Sequence, residues 1–268
     1  MTSASRHIDV AVLGRVGIDL YPNQLRTPLR EVRTYTRFVG GFAGNVATGL
    51  ARLGLTPAIV SRDELVAHVA TLAVATDLPL NVDSERCYPD DHGGVSRTVE
   101  MLAEAGAAGF SIEDYNPETG GIDDVGLAAA RVAEAAEASR KQDEPLVLTG
   151  RAENHIRGVD DLDDTIDRLV AYRDAGADVV YAPGLTDLDQ IARVVEVVRV
   201  PLNVLALPSG PSLGELAAAG VRRISTGSLL AGAAYGALLA GAHELQEEGT
   251  SRYAEGGASR EALRAAFD

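Results

Sequence analysis

The sequence is notable first for what it lacks. A single cysteine, Cys87, occurs in 268 residues, so no disulfide can form within the chain, and no cysteine or histidine spacing typical of a zinc site is present. No uninterrupted apolar run reaches the roughly 18–20 residues that a membrane-spanning helix needs. Residues 1–9 are polar and lack the apolar core of a signal peptide. We therefore expect a globular protein of the cytoplasm.

Positive charge is also scarce. The chain has 24 Lys and Arg against 39 Asp and Glu, which gives a formal net charge of -15. Such a surface repels nucleic acid phosphates and anionic lipids, so we expect neither nucleic acid nor membrane partners. Any anionic substrate would therefore have to be held by a local cation cluster or a metal. With 46% apolar residues, the chain can build a packed core in one large domain or two small ones.

Short β-branched runs alternate with helical patterns along most of the chain, which predicts βαβ units and a parallel sheet. Eight such runs suit a (β/α)8 barrel, and an extra strand near residues 32–38 would lie outside it. The runs are centred near Val10, Ala58, Leu80, Ser111, Val147, Val179, Asn203 and Ile224. An open doubly wound sheet is the alternative, although no Gly-x-Gly-x-x-Gly or Walker lysine motif follows any strand. Residues 115–122, with Pro117 and paired glycines, have the composition of a mobile flap.

Two of these strands end abruptly in acids. The runs at residues 78–85 and 109–114 are too short for helices, and each delivers carboxylates at its C-terminal end. Carboxylates that lie this near to one another repel unless a cation lies between them. A hard ion such as Mg2+ or Mn2+ prefers oxygen ligands. The sequence therefore predicts a metal site at this end of the sheet. The alternative is that these acids only cap the following helices.

From about residue 61 onward the chain resembles the isocitrate lyase/phosphoenolpyruvate mutase superfamily. The matching segments are residues 83–85, 109–114 (Gly-Phe-Ser-Ile-Glu-Asp), 149–154 (Thr-Gly-Arg-Ala-Glu-Asn), 175–178, 201–204 and 220–225. Members of this family are (β/α)8 barrels that bind Mg2+ and make or break C–C or P–C bonds in 2-oxo or 2-hydroxy acids. The resemblance also implies a homo-oligomer, either a dimer or a tetramer.

The resemblance further implies roles for particular residues. Asp83, Glu85 and Glu113 would hold the metal, partly through waters, and Glu113 would also act in catalysis. Arg151 would act in catalysis and bind a substrate carboxylate, because its planar fork can hold an oxyanion with two hydrogen bonds. Asn154 and Asn203 would also contact the substrate. For Arg151 the alternative is an ion pair with Glu153 or Glu113 that only neutralises the acids.

Residues 1–61 resemble the opening of a ribokinase-like (PfkB) sugar kinase of the 5-dehydro-2-deoxygluconokinase type. The similar segments are residues 14–22 and 40–47. By this resemblance Asp19, Gly41 and Asn45 would bind sugar hydroxyls. Such kinases need a late Gly-Ala-Gly-Asp segment, and residues 226–232 imitate only its outline without the aspartate, so we do not expect phosphoryl transfer. The expected division is a kinase-like segment, 1–61, that supplies the first two barrel strands, and a lyase-like barrel, 62–268.

Two departures from the lyase pattern limit the function. The family run Asp-x-Glu-x-Gly-Tyr-Gly loses both glycines at residues 83–89, and the Lys-Lys-Cys-Gly-His loop of isocitrate lyases is missing. Isocitrate cleavage is therefore not expected. The sequence predicts a Mg2+-dependent lyase-type enzyme acting on a small 2-oxo or 2-hydroxy carboxylate. The alternative is a sugar-binding remnant of a carbohydrate kinase fused to an inactive barrel.

Overall fold

The computed structural model describes residues 18–22, 35–39, 61–75 and 78–262. Its strands are β1 (Ile18–Pro22), β2 (Tyr35–Val39), β3 (Asn81–Asp83), β4 (Gly109–Glu113), β5 (Tyr115–Asn116), β6 (Gly121–Ile122), β7 (Val147–Arg151), β8 (Val179–Tyr181), β9 (Leu202–Leu205) and β10 (Arg223–Ser225). Its helices are α1 (Arg62–Ala73), α2 (Gly94–Glu104), α3 (Val125–Arg140), α4 (Leu162–Asp174), α5 (Leu188–Val198), α6 (Leu213–Ala218) and α7 (Leu229–Glu247).

Six strands form one parallel sheet in the order β3-β4-β7-β8-β9-β10. Each strand pairs with the one before it along the chain, with a helix in every connection. A doubly wound sheet reverses its strand order at a switch point. These six strands show no reversal, so their order is that of a barrel. Six of the eight predicted strands are confirmed. Those predicted near Val10 and Ala58 lie outside the described residues, so closure into eight strands stays a prediction.

Several helices begin where polar side chains bind the free backbone N–H groups of the first turn. Ser61 and Glu64 form a capping box at α1, and Asp124, Asp161 and Asp187 cap α3, α4 and α5. The apolar sides of these helices pack on the sheet in one continuous core. Leu102, Phe110, Leu148, Leu169, Ile191 and Leu202 are among its fully buried side chains. The sheet is thus held rigidly from behind.

Two small hairpins lie outside the main sheet. β1 and β2 pair in antiparallel fashion, which agrees with the predicted extra strand near residues 32–38. Asp19 lies on β1, whereas Gly41 and Asn45 lie outside the described residues, so the kinase-like resemblance and its sugar site stay predictions. β5 and β6 form the second hairpin, in which Tyr115 pairs with Ile122. The segment predicted as a flap therefore has regular structure, and its mobility stays a prediction.

The chain divides into two compact units, residues 1–225 and 226–268. The first contains the sheet and helices α1 to α6. The second contains α7 and a short 3-10 helix, Arg252–Gly256. The first two backbone N–H groups of this short helix donate hydrogen bonds to the Glu244 carboxylate. The domain boundary expected at residue 61 stays a prediction. No helix in the described ranges is long and apolar enough to cross a membrane.

Candidate active site

Three neighbouring strands end in charged side chains at the same edge of the sheet. Asp83 is the last residue of β3, Glu113 of β4 and Arg151 of β7. The strands are parallel, and Glu113 is the register partner of Arg151. This end of a parallel α/β sheet is where active sites of such folds are built. The structure therefore brings the predicted acids together at one edge of the sheet.

Arg151 lies at the centre of this cluster. Its Nη1 is 3.2 Å from Asp83 Oδ2, and its Nε is 3.5 Å from Glu113 Oε2 and 2.5 Å from Glu153 Oε1. Its guanidinium lies 5.2 Å from the ring centre of Tyr181 on the next strand. Burial alone would lower the pKa of Arg151, but the three carboxylates raise it above its ordinary value. The side chain is thus a permanent cation.

Glu85 lies in the turn that follows β3. Its backbone N–H donates to Asp83 Oδ1 at 3.3 Å, and its carbonyl accepts from the Glu113 N–H at 2.8 Å. The turn is strained, because Glu85, Cys87 and Tyr88 all have positive φ angles, of 50°, 62° and 49°. Burial raises the pKa of Glu85 and the Asp83 charge raises it further, while Arg151 and Arg157 lower it. The turn therefore holds a third carboxylate beside the other two.

Glu113 is the most perturbed acid of the cluster. Burial raises its pKa well above the ordinary range, and the charges of Glu153, Asp83 and Glu85 add to this, against the lowering effect of Arg151. Asp83, Glu113 and Glu153 thus contact two arginines, Arg151 and Arg157, at this edge, and the Glu85 carboxyl group lies close enough to interact with the Asp83 charge. A cluster with more carboxyl groups than arginines favours a proton on one of them or a further cation.

The alternatives left open by the sequence can be compared with these contacts. The helices that follow β3 and β4 have Gly93 and Asp124 as their N-caps, so Asp83, Glu85 and Glu113 do not serve as helix caps. The ion-pair alternative for Arg151 does describe contacts that are present, with both Glu113 and Glu153. However, the hydrogen bonds of Arg151 to described residues are made by Nε and Nη1, and its Nη2 makes none to them.

The two predicted asparagines differ in their surroundings. Asn154 donates from Nδ2 to Thr165 Oγ1 at 2.7 Å and to Asp164 Oδ2 at 3.1 Å, which ties the loop after β7 to α4. Asn203 on β9 donates to Ser225 Oγ at 3.0 Å. Both side chains are buried, and the Oδ1 atom of each has no hydrogen-bond partner among the described residues. Substrate contact by either residue stays a prediction.

Sequence reasoning missed the support beneath the cluster. Asp114 is fully buried and accepts from the Glu153 N–H at 2.8 Å, from the Tyr172 hydroxyl at 2.6 Å and from Arg168 Nη1 at 3.2 Å. Burial and the Asp114 charge raise the pKa of Tyr172, so its hydroxyl stays a donor. The available signal was the position of Asp114 directly after a strand of buried residues. This network fixes the backbone that carries Glu153.

The donor set can be tested against the predicted metal. Asp83, Glu85 and Glu113 offer only carboxylate oxygens, the ligands that Mg2+ prefers, in a site with more carboxyl groups than arginines. Within residues 61–75 and 78–262, however, no three Asp, Glu, His or Cys side chains converge to bind an ion directly. Mg2+ usually keeps several of its waters. The residues therefore fit a hydrated Mg2+ held largely through water, and the metal itself stays a prediction.

Comparison with known proteins gives the family. Residues 45–246 match the family model described as phosphoenolpyruvate phosphomutase. An oxaloacetate decarboxylase of Rhodopseudomonas palustris strain HaA2 is 34% identical over 179 residues, which cover 63% of this chain and 59% of the decarboxylase. The chain thus spans about three fifths of the length of the curated relatives that it matches.

Solved structures agree with this assignment. A protein of Burkholderia cenocepacia J2315, provisionally assigned as a lyase/mutase, has 41% identity and a TM-score of 0.73, with 85% of this chain and 87% of that chain covered. A phosphonopyruvate hydrolase complexed with oxalate and Mg2+ shares the fold at 22% identity, with a TM-score of 0.66 and coverage of 84% of this chain and 80% of that one. The chain belongs to the phosphoenolpyruvate phosphomutase family, within the isocitrate lyase/phosphoenolpyruvate mutase superfamily.

Proposed function

We propose that this protein is a Mg2+-dependent lyase-type enzyme that cleaves or forms a C–C or P–C bond in a small 2-oxo or 2-hydroxy carboxylate. The observation that carries this proposal is the position of Arg151 among the carboxylates of Asp83, Glu113 and Glu153 at the C-terminal edge of the sheet. A fixed cation beside a cluster of oxygen ligands suits a substrate that has both a carboxylate and a metal-binding oxygen.

Each residue of the cluster would have a distinct role. Arg151 binds the substrate carboxylate through its Nη2 donor, because its Nε and Nη1 donors are already held by acids. Asp83, Glu85 and Glu113 bind waters of the Mg2+ ion. When bound, the ion supplies positive charge that polarises the 2-oxo oxygen of the substrate.

Glu113 makes Mg2+ binding at this site depend on pH. In the free protein its burial raises its pKa, so its carboxyl group holds a proton more readily than an exposed glutamate does. A cation placed beside it favours the ionised form. Binding of Mg2+ would therefore release a proton from Glu113, and Mg2+ affinity would rise with pH.

The relatives support a 2-oxo acid as the first substrate to test. The decarboxylases with 34% identity are named for oxaloacetate, and the phosphonopyruvate hydrolase structure holds oxalate with Mg2+. Oxalate resembles the planar enolate of a 2-oxo acid. Oxaloacetate and phosphonopyruvate are therefore the first substrates to examine.

The direct test is pyruvate release from oxaloacetate, with the rate in protein-free Mg2+ buffer subtracted. We expect turnover that is lost in EDTA and that falls ~100-fold in kcat/KM in Arg151→Lys, which keeps the charge but loses the planar fork. Arg193→Lys, at an exposed ion pair on α5, is the matched control and should behave as wild type. Equal rates in Arg151→Lys and wild type would contradict the proposal. Sugar binding without turnover of any 2-oxo acid would favour the kinase remnant instead.

A further inference from the structure

A continuous chain of charged contacts runs outward from Arg151. Glu153 contacts Arg151 through Oε1 at 2.5 Å and Arg157 through Oε2 at 3.1 Å. Arg157 ends the short 3-10 helix His155–Arg157 and is partly exposed. Its guanidinium lies 3.5 Å from the ring centre of Tyr115. One buried carboxylate thus links the central arginine to an arginine at the surface.

The buried carboxylate needs both arginines. The Glu153 side chain is only 1% exposed, and a buried ionised group is costly unless its partners compensate for the lost water. Here each oxygen has its own guanidinium, and the Glu153 N–H is fixed on Asp114. Without Arg157, Oε2 would be left unpaired, and the carboxylate would rotate to share both oxygens with Arg151. The second oxygen would then pair with Nη2 of Arg151, the donor proposed for the substrate carboxylate.

The far end of the chain reaches the small hairpin. Tyr115 is the first residue of β5, and it follows the Glu113 strand after one residue, Asp114. Cation–aromatic stacking holds the planar Arg157 group in one orientation. The position of the hairpin and the orientation of Arg157 therefore depend on each other. A lysine could supply the charge at this position but not the planar stack.

We propose that Glu153 and Arg157 are positioning residues that set the orientation of Arg151, and that the stack on Tyr115 couples this orientation to the hairpin Tyr115–Ile122. This inference rests on the proposed function only in taking Arg151 as the group that binds the substrate carboxylate. It adds that the hairpin and the carboxylate site respond to each other.

The test is calorimetric titration of oxalate in saturating Mg2+. We expect Arg157→Gln to weaken oxalate binding about tenfold, the loss that follows from one misplaced charged hydrogen bond. Arg157→Lys should fall between Arg157→Gln and wild type, Tyr115→Leu should weaken binding several-fold, and Tyr115→Phe should bind as wild type. The double variant Tyr115→Leu/Arg157→Gln should be no weaker than Arg157→Gln alone, because both act through one contact. Arg193→Gln is the control.

Several outcomes overturn the inference. A merely structural role would lower the melting temperature of Arg157→Gln but leave oxalate affinity unchanged, and that result refutes positioning. Additive losses in the double variant refute the coupling.

If wild type binds no oxalate, the proposed function fails, and the coupling is then judged by hydrogen exchange in the free protein. Arg151→Gln and Arg157→Gln should each speed exchange at the hairpin amides several-fold, and unchanged exchange in Arg151→Gln refutes it.

Discussion

At the scale of single residues, the site is defined by charges that are held out of water. The Cys87 thiol, in contrast, is buried without being reactive. Burial raises the pKa of Cys87 to about 12, and the side chain is fully enclosed, so the thiol is inert at neutral pH. Its φ of 62° lies where glycine is favoured, which is where the superfamily pattern has one of its glycines.

Glu113 gives a prediction about pH. A carboxyl whose pKa is raised in the folded state stabilises the protein below its unfolded pKa, and this contribution is lost as pH rises through the folded pKa. We expect Glu113→Gln, in EDTA, to gain stability relative to wild type as the pH rises from 5 to 8, because only the wild-type carboxyl group has to ionise in the buried site. Urea unfolding at several pH values measures this difference.

The matched control for Glu113→Gln is Glu137→Gln. An exposed ion pair with Lys141 lowers the pKa of Glu137, so its effect should be small and opposite in sign. A stability difference between Glu113→Gln and wild type that does not change with pH would contradict the account of Glu113. Added Mg2+ should reduce the difference, because a nearby cation favours the ionised carboxylate.

At the scale of elements, the edge of the sheet depends on close packing of α4 behind β7. A Cβ on Gly150, next to Arg151, would lie 2.8 Å from Tyr172 Cβ, so only glycine lets the helix approach this closely. The approach brings the Tyr172 hydroxyl to Asp114, whose other oxygen holds the Glu153 backbone. α4 therefore supports the site from behind.

This support predicts the effect of Tyr172→Phe. The change removes one donor from the fully buried Asp114 carboxylate while it keeps the ring, and it should lower the free energy of unfolding by about 1–3 kcal/mol. Urea denaturation is the measurement, with Tyr253→Phe on the exposed 3-10 helix as the control. Equal stability of Tyr172→Phe and wild type would contradict the role given to the network.

Some of these elements could be predicted from the sequence, and others could not. Runs such as Val147–Arg151 have β-branched residues with turns at both ends, so the six described strands and the acids at the ends of two of them could be located. The contacts of Arg151 with Asp83 and of Arg157 with Tyr115 join residues 68 and 42 positions apart. No local pattern specifies such contacts, because they depend on strand order and helix packing. The hairpin of residues 115–122 was missed because its two strands have only two residues each.

At the scale of the whole molecule, the excess of negative charge has a local counterpart. The formal charge is -15, and the edge of the sheet concentrates four carboxylates around two arginines. The family match begins at residue 45, within the segment for which a sugar-kinase origin stays a prediction. The family membership and the strand order both favour a barrel with its site at this edge. We propose that this edge binds Mg2+ together with a carboxylate.

The most direct test is isothermal titration of Mg2+ into wild type, Asp83→Asn and Asp163→Asn, a surface control whose exposed carboxylate pairs with Arg193. We expect binding heats for wild type and Asp163→Asn, and an apparent affinity at least about tenfold weaker for Asp83→Asn, since one carboxylate that binds waters of the ion has lost its charge. Identical titration curves for Asp83→Asn and wild type would contradict the metal site at this edge.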